Sequence, residues 1–164
     1  MPLFHLPPGT TIALNFLLWF LIHLTSGYLG ARLSDRFFIH DTGLFKTRGW
    51  EQNGEVYQSL FRIKSWKRRL PDAGRFFGQD AAKRILASTE SAYLERFVLE
   101  TRRAEWTHWM QLFPVFVFFL FNEWPIGMFM VVYACCVNLP CMMAQRYNRP
   151  RIQRILHKKR SGTV

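Results

Sequence analysis

The chain has 164 residues, 49% of them hydrophobic, and 22 Lys and Arg against 11 Asp and Glu give it a formal net charge of +11. This length suits one domain, but polar and apolar residues are segregated into blocks that an ordinary soluble globule would not show. No nucleic-acid-binding signature accompanies the charge, and the absence of a Walker loop, a Gly-x-Gly-x-x-Gly, a Gly-x-Ser-x-Gly elbow or a His-x-x-x-x-Asp argues against nucleotide chemistry.

In chain order, Thr11 to Ala31 contains no Lys, Arg, Asp or Glu and has about the ~20 residues needed to cross a bilayer core. It is predicted to be the first span, residues 11–31. A cleaved secretory signal is the weaker reading, because Met1 to Thr10 lacks the positive charge that such a segment carries. A cytoplasmic and interfacial segment, residues 32–105, follows. Its start, Gly27 to Phe38, mixes aromatics with charges, and His40 to Gly49 reads as interfacial turns. From Glu55 to Leu70, Val56, Leu60, Ile63 and Trp66 alternate with Arg62, Lys64, Lys67, Arg68 and Arg69, which predicts an in-plane amphipathic helix. Pro71 to Gly78 should end it, and a second helix should start near Asp80 and run on through Glu100.

That second helix passes without a break into Trp109 to Asn122, predicting a second span over residues 106–122 with a bend near Met110 caused by Pro114. Pro125 to Ala144 is again free of charge and predicts a third span, residues 125–144, followed by a basic tail, residues 145–164. All Lys and Arg fall between Arg32 and Arg103 or between Arg146 and Arg160. By the positive-inside rule the N-terminus and the turn at Asn122 to Pro125 face outward and the basic segments face the cytoplasm. The expected architecture is thus an all-α integral membrane protein, one membrane domain over residues 1–164. It has three transmembrane helices and one or two interfacial helices, and its basic residues attract anionic lipids. Cys135, Cys136 and Cys141 lie inside the third span and form neither a disulfide framework nor a zinc spacing.

Three constellations can carry chemistry. Glu105 and His108 are one helical turn apart on the arc that also holds Leu94, Val98, Thr101 and Leu112, with Arg103 pointing roughly the opposite way. A carboxylate that holds one imidazole nitrogen leaves the other as a general base for an acceptor hydroxyl. The competing reading is an ion pair at a helix end. A Glu-x-x-His pair is also half of a di-metal site, but no second pair exists, so no metal is expected. Gln145 to Arg151 lies at the same membrane face. Its arginines either anchor the helix end or form a fork for an acyl carrier or an oxyanion. Phe61 to Pro71 needs no role beyond adhesion to the membrane surface.

Taken together, Trp66-Lys67, the run Glu100 to Trp109 with Pro114 after it, Asn138-Leu-Pro140 and Gln145 to Arg151 resemble the glycosyl-4,4'-diaponeurosporenoate acyltransferase family. Leu29-Gly30, Arg32 and Asp35 fit as well, so the likeness runs over roughly residues 15 to 155. The resemblance implies a bacterial cell-membrane enzyme, multi-pass with its active face in the cytoplasm. Such an enzyme esterifies a fatty acyl chain onto the sugar of a glycosylated C30 carotenoid, in staphyloxanthin-type biosynthesis. On that reading His108 is the base and Glu105 its orienting partner. Arg103, Glu100, Gln145, Arg146, Asn148, Arg149 and Trp109 are the candidate substrate-binding residues. No bound cofactor is expected, only a long-chain acyl donor, acyl-CoA or another acyl carrier, as co-substrate. The chain departs from the family pattern in the stretch Pro71 to Gly78 and in a less basic entry to the second helix. The alternatives are a non-enzymatic basic scaffold that binds anionic lipid or a pathway enzyme, and a metal-dependent lipid hydrolase with further ligands converging on His108.

Overall fold

The computed structural model describes residues 2–41, 43–70 and 91–162, and among these every regular element is helical. Helix α1, Pro8–Arg32, starts with a proline in its first turn, where the missing amide hydrogen costs nothing. Helix α2, Asp35–Ile39, is capped by the Ser34 hydroxyl. Two 3-10 turns, Gly43–Phe45 and Gly49–Gly54, lead to the short helices α3, Glu55–Phe61, and α4, Ile63–Trp66. Helix α5 spans Ser91–Leu112 and passes into a 3-10 segment, Phe113–Leu120, before helix α6, Trp124–Arg160.

The three long elements run antiparallel to their sequence neighbours, with α5 packed between α1 and α6. At one end Phe4 N–H donates to the Leu120 carbonyl at 2.8 Å, and the amides of Asn15 and Asn122 exchange hydrogen bonds of 2.9 and 2.8 Å. Reciprocal pairing leaves neither buried amide unsatisfied. The middle is apolar, with Val115, Phe118, Phe121 and Ala134 packed under Trp19 and Met130. At the other end Tyr57 and Ile63 dock on Ala144 and Tyr147 of α6. Two helices, α1 and α6, are long and apolar enough to cross a membrane. Their outward faces carry exposed Phe16, Phe20, Phe129 and Val132, a surface better matched to hydrocarbon than to water.

Three expectations change. The stretch Trp106 to Asn122 is not one bent α-helix: α5 stops at Leu112, and Pro114 falls in the first turn of the 3-10 segment. Proline has no amide hydrogen to give the carbonyl four residues back, so the chain tightens instead of bending. The amphipathic helix over Glu55 to Leu70 is broken at Arg62, whose φ of 49° and ψ of 44° end α3. Tyr57 and Ile63, with Val56 and Trp66 beside them, pack against α6, while Leu60 and Phe61 stay exposed. The basic stretch that follows the third predicted span is helical up to Arg160, since α6 continues through Pro140 and Pro150. Arg103 is buried like Glu105, since neighbours cover α5 on several sides. The predicted terminator Pro71 to Gly78 and the helix start near Asp80 lie outside the described residues.

One glycine fixes how the 3-10 region meets α6. Gly54 has φ of 89° and approaches α6 so closely that a methyl group would stand 3.1 Å from the Arg146 carbonyl oxygen and from the Tyr147 Cα. Pro150, four residues on, has no hydrogen to offer that carbonyl, so α6 is locally open where Gly54 packs. Replacing Gly54 with Ala should therefore cost about 1–3 kcal/mol through strain and overpacking. The check is a lower thermal midpoint of the detergent-solubilised protein; an unchanged midpoint would show that the contact is not tight.

Candidate active site

Residues Thr101, Glu105 and His108 lie on the side of α5 that faces α6, one turn apart. On α6, Asn138, Arg146 and Arg149 meet them in antiparallel order, so two layers form, separated along α5 by about 4.5 Å at 1.5 Å per residue.

The inner layer is an ion cluster. The Glu105 side chain is fully buried, and Arg146 Nε donates to its Oε1 at 2.7 Å while Arg149 Nη2 donates to its Oε2. Arg146 also donates from Nη1 to Glu51 Oε1 at 2.6 Å and from Nη2 to the Leu44 carbonyl at 2.5 Å. Arg149 reaches the Thr101 hydroxyl at 3.0 Å and the Phe45 carbonyl at 2.8 Å. Glu51 is buried too, and accepts from the Tyr57 hydroxyl at 2.9 Å and from Arg48 N–H at 2.9 Å. Burial and the neighbouring Glu51 carboxylate hold the Tyr57 phenol well above its ordinary pKa, so it stays protonated and donates. Two carboxylates face two guanidiniums, so the cluster is neutral. Every nitrogen of Arg146 and Arg149 has an acceptor from this chain.

The outer layer holds the histidine. His108 is half-buried, and its Nδ1 lies 2.9 Å from Asn138 Oδ1. Asn138 is completely buried, and its Nδ2 donates to the Ala134 carbonyl at 2.9 Å. That bond orients the amide, so the oxygen is what faces His108. Nδ1 therefore carries the hydrogen, and in the neutral ring Nε2 keeps the lone pair. The expected bond between Glu105 and His108 is not made: two arginines outbid one imidazole for the carboxylate.

The other predicted site residues divide as follows. Arg103 donates to the Gly30 carbonyl at 2.7 Å and the Leu33 carbonyl at 2.9 Å and pairs with Asp35 and Glu100, which closes the C-terminus of α1. Glu100 is buried between Arg96 and Arg103. Arg102, not predicted, does for α2 what Arg103 does for α1, donating to the Phe38 and Ile39 carbonyls at 2.9 and 2.6 Å. The Asn148 oxygen accepts from Lys67 at 2.7 Å, and Lys67 in turn lies 4.6 Å from the Tyr147 ring centre. Gln145 is half-buried on the same stretch. Trp109 stacks on Phe113 with centroids 5.8 Å apart, and its buried indole N–H has no acceptor among the described residues. No group of three or more His, Cys, Asp or Glu that could hold a metal ion forms among the described residues.

Sequence reasoning missed Asn138 as the histidine's partner and Glu51 as the second buried carboxylate. A lone amide in a charge-free span is a signal for the first. For the second there was none, because Glu51 sits in a turn-rich stretch without periodicity.

A family model described as glycosyl-4,4'-diaponeurosporenoate acyltransferase matches residues 41–158. The chain belongs to this family. Proteins named glycosyl-4,4'-diaponeurosporenoate acyltransferase from Staphylococcus aureus strains bovine RF122 / ET3-1, Newman and USA300 are each 31% identical over 147 residues, covering 88% of this chain and 87% of theirs. No solved structure matches it. Membership makes the chain an acyltransferase and removes the non-enzymatic scaffold. The matched residues contain the whole ion cluster together with His108 and Asn138.

Taking one partner from a buried charge group leaves the others unpaired, at a cost of about 3–5 kcal/mol. Glu105→Gln should therefore destabilise the acyltransferase by about that amount, read as a large loss of thermal midpoint in detergent and as proteolysis at the α5–α6 contact. Wild-type stability in Glu105→Gln would mean that the cluster does not hold the helices.

Proposed function

We propose that the chain transfers a fatty acyl group from acyl-CoA or another acyl carrier to the sugar hydroxyl of a glycosylated carotenoid or a similar glycolipid, at the cytoplasmic face of a bacterial membrane. The family name supports the acceptor class. The hydrogen bond from His108 Nδ1–H to Asn138, which leaves Nε2 as the base, carries the mechanism. In this reading the protein crosses the bilayer three times, as α1, as the end of α5 with the 3-10 segment, and as α6. The distribution of Lys and Arg puts its N-terminus outside. Long apolar substrates would enter from the bilayer, and basic residues around the inner ends of the helices would sit against anionic lipids.

His108 Nε2 takes the proton of the acceptor hydroxyl as the oxygen attacks the acyl carbonyl, and the imidazolium returns it to the leaving group. Asn138 holds the ring and its tautomer without adding charge. The unpartnered Trp109 N–H is a candidate donor to a substrate oxygen. Arg146 and Arg149, with Glu105, are given a positioning role: they fix the α5 turn from which His108 projects.

The test is ester formation by the membrane-reconstituted protein from a glycosylated carotenoid and acyl-CoA. We expect His108→Ala to lose about 10²- to 10⁴-fold in turnover, the range for a general base, and Asn138→Ala to lose less, with the acceptor KM nearly unchanged. If the unaltered protein makes no ester, the substrate reading fails; full turnover in His108→Ala would remove the base.

A further inference from the structure

A second group of charges stands apart from the ion cluster. At about 100° per residue, Tyr147 lies on the side of α6 opposite Asn138 and Arg149, turned away from α5. Its side chain is buried beneath two cations: Lys67 Nζ is 4.6 Å from the ring centre and Arg151 Cζ is 3.6 Å from it. The two charges are therefore at most the sum of these distances, about 8 Å, apart. Lys67 gives one hydrogen bond, to Asn148 Oδ1 at 2.7 Å, and an ammonium has two further hydrogens to give. Arg151 donates to the Tyr147 carbonyl at 3.1 Å and to Glu55 Oε1 at 2.7 Å. Lys64, one turn before Lys67, is exposed and pairs with no carboxylate among the described residues.

The two charge groups differ in balance. The Glu105 cluster sets two carboxylates against two guanidiniums, whereas here Lys64, Lys67 and Arg151 share one exposed carboxylate, Glu55. The face of the Tyr147 ring attracts both cations, but it supplies no counter-charge. Burial, and then the neighbouring charges of Arg151 and Lys64, hold the Lys67 ammonium below its ordinary pKa. A bound anion would relieve that repulsion. A phosphate that accepts at about 2.8 Å from each donor can bridge cations at this separation.

The surroundings say which phosphate. Tyr147 is three residues beyond Ala144, the end of the charge-free run, and so about 4.5 Å further along the axis at 1.5 Å per residue. In the membrane orientation given above, that is the depth at which lipid head groups begin. The same arc of α6 carries exposed Phe129, Tyr133 and Cys136 towards the other end of the helix. Leu60 and Phe61, at the break between α3 and α4, are 69% and 50% exposed. Exposed hydrocarbon beside uncompensated cations matches a lipid surface better than a nucleic acid or a soluble protein. We propose that Lys67 and Arg151, over the ring of Tyr147, form a binding site for the phosphate head of an anionic glycerophospholipid whose chains lie along the exposed arc of α6. The bound lipid ties α4 to the inner end of α6. The site rests on the membrane orientation under Proposed function and not on the role of His108.

The test is native mass spectrometry of the full-length protein released from detergent micelles that contain phosphatidylglycerol or phosphatidylcholine. The unaltered protein should retain one tightly held phosphatidylglycerol. Lys67→Gln and Arg151→Gln should each weaken its Kd by about tenfold or more, the loss of a charge-assisted hydrogen bond. Lys158→Gln, an exposed cation further along α6, should stay within about twofold. Equal weakening in Lys158→Gln would reduce the effect to diffuse attraction and overturn the site, as would phosphatidylcholine held as tightly as phosphatidylglycerol. Inorganic phosphate or coenzyme A that binds the lipid-free protein as tightly, with the same dependence on Lys67 and Arg151, would assign the site to a soluble phosphate and overturn the lipid. Should either Gln variant lose its thermal transition, the double variant Lys67→Arg/Arg151→Lys, which keeps both charges, decides: retained phosphatidylglycerol supports the site, and its loss overturns it. No ester is read in these measurements, so a failed acyl-transfer assay leaves the lipid site standing, and an absent lipid leaves acyl transfer standing.

Discussion

The arrangement of this protein depends on one buried carboxylate. Glu105 sits at the contact of α5 and α6, and two arginines one turn apart on α6 converge on its two oxygens. A carboxylate removed from water is tolerable only when its partners are fixed and fully engaged. Arg146 and Arg149 meet that condition by spending their remaining donors on Glu51, Thr101 and the backbone of the 3-10 region. The cluster therefore sets the axial register of α6 on α5 and ties residues 43–54 to both. Apolar packing alone, being non-directional, would not select one register so sharply.

The same constraint shapes the chemistry. A carboxylate held by two guanidiniums is not available to an imidazole one turn away, so His108 is oriented by an amide. Other arginines serve the backbone: Arg102 and Arg103 close the ends of α2 and α1 by donating to their last carbonyls, which favours cations there through the helix dipole as well. Four of the arginines, Arg102, Arg103, Arg146 and Arg149, are thus internal architecture.

Much of the helical content was legible in the sequence. Charge-free runs long enough to span a bilayer mark α1 and the first part of α6, and the Glu105/His108 turn announced itself as ionisable groups on an apolar arc. Glu105 and His108 were correctly placed on one face, but their partners were not. Hydropathy also overstated the regularity of the second span and of the amphipathic stretch. A local window cannot register that Pro114 switches the chain into a 3-10 segment, or that Arg62 takes a left-handed conformation so that Tyr57 and Ile63 can both reach α6.

By itself the sequence determined which segments are helical and apolar, which carry the charge, and, through the run from Glu100 to Trp109 and the Arg146 to Arg151 stretch, the family. These properties are written in composition and periodicity within one segment. Only the tertiary structure decided which acceptors the buried arginines of α6 take, and that Asn138 and not Glu105 holds His108. The pairs Arg146–Glu105, Arg149–Glu105 and His108–Asn138 join residues thirty or more positions apart, beyond the reach of any local pattern.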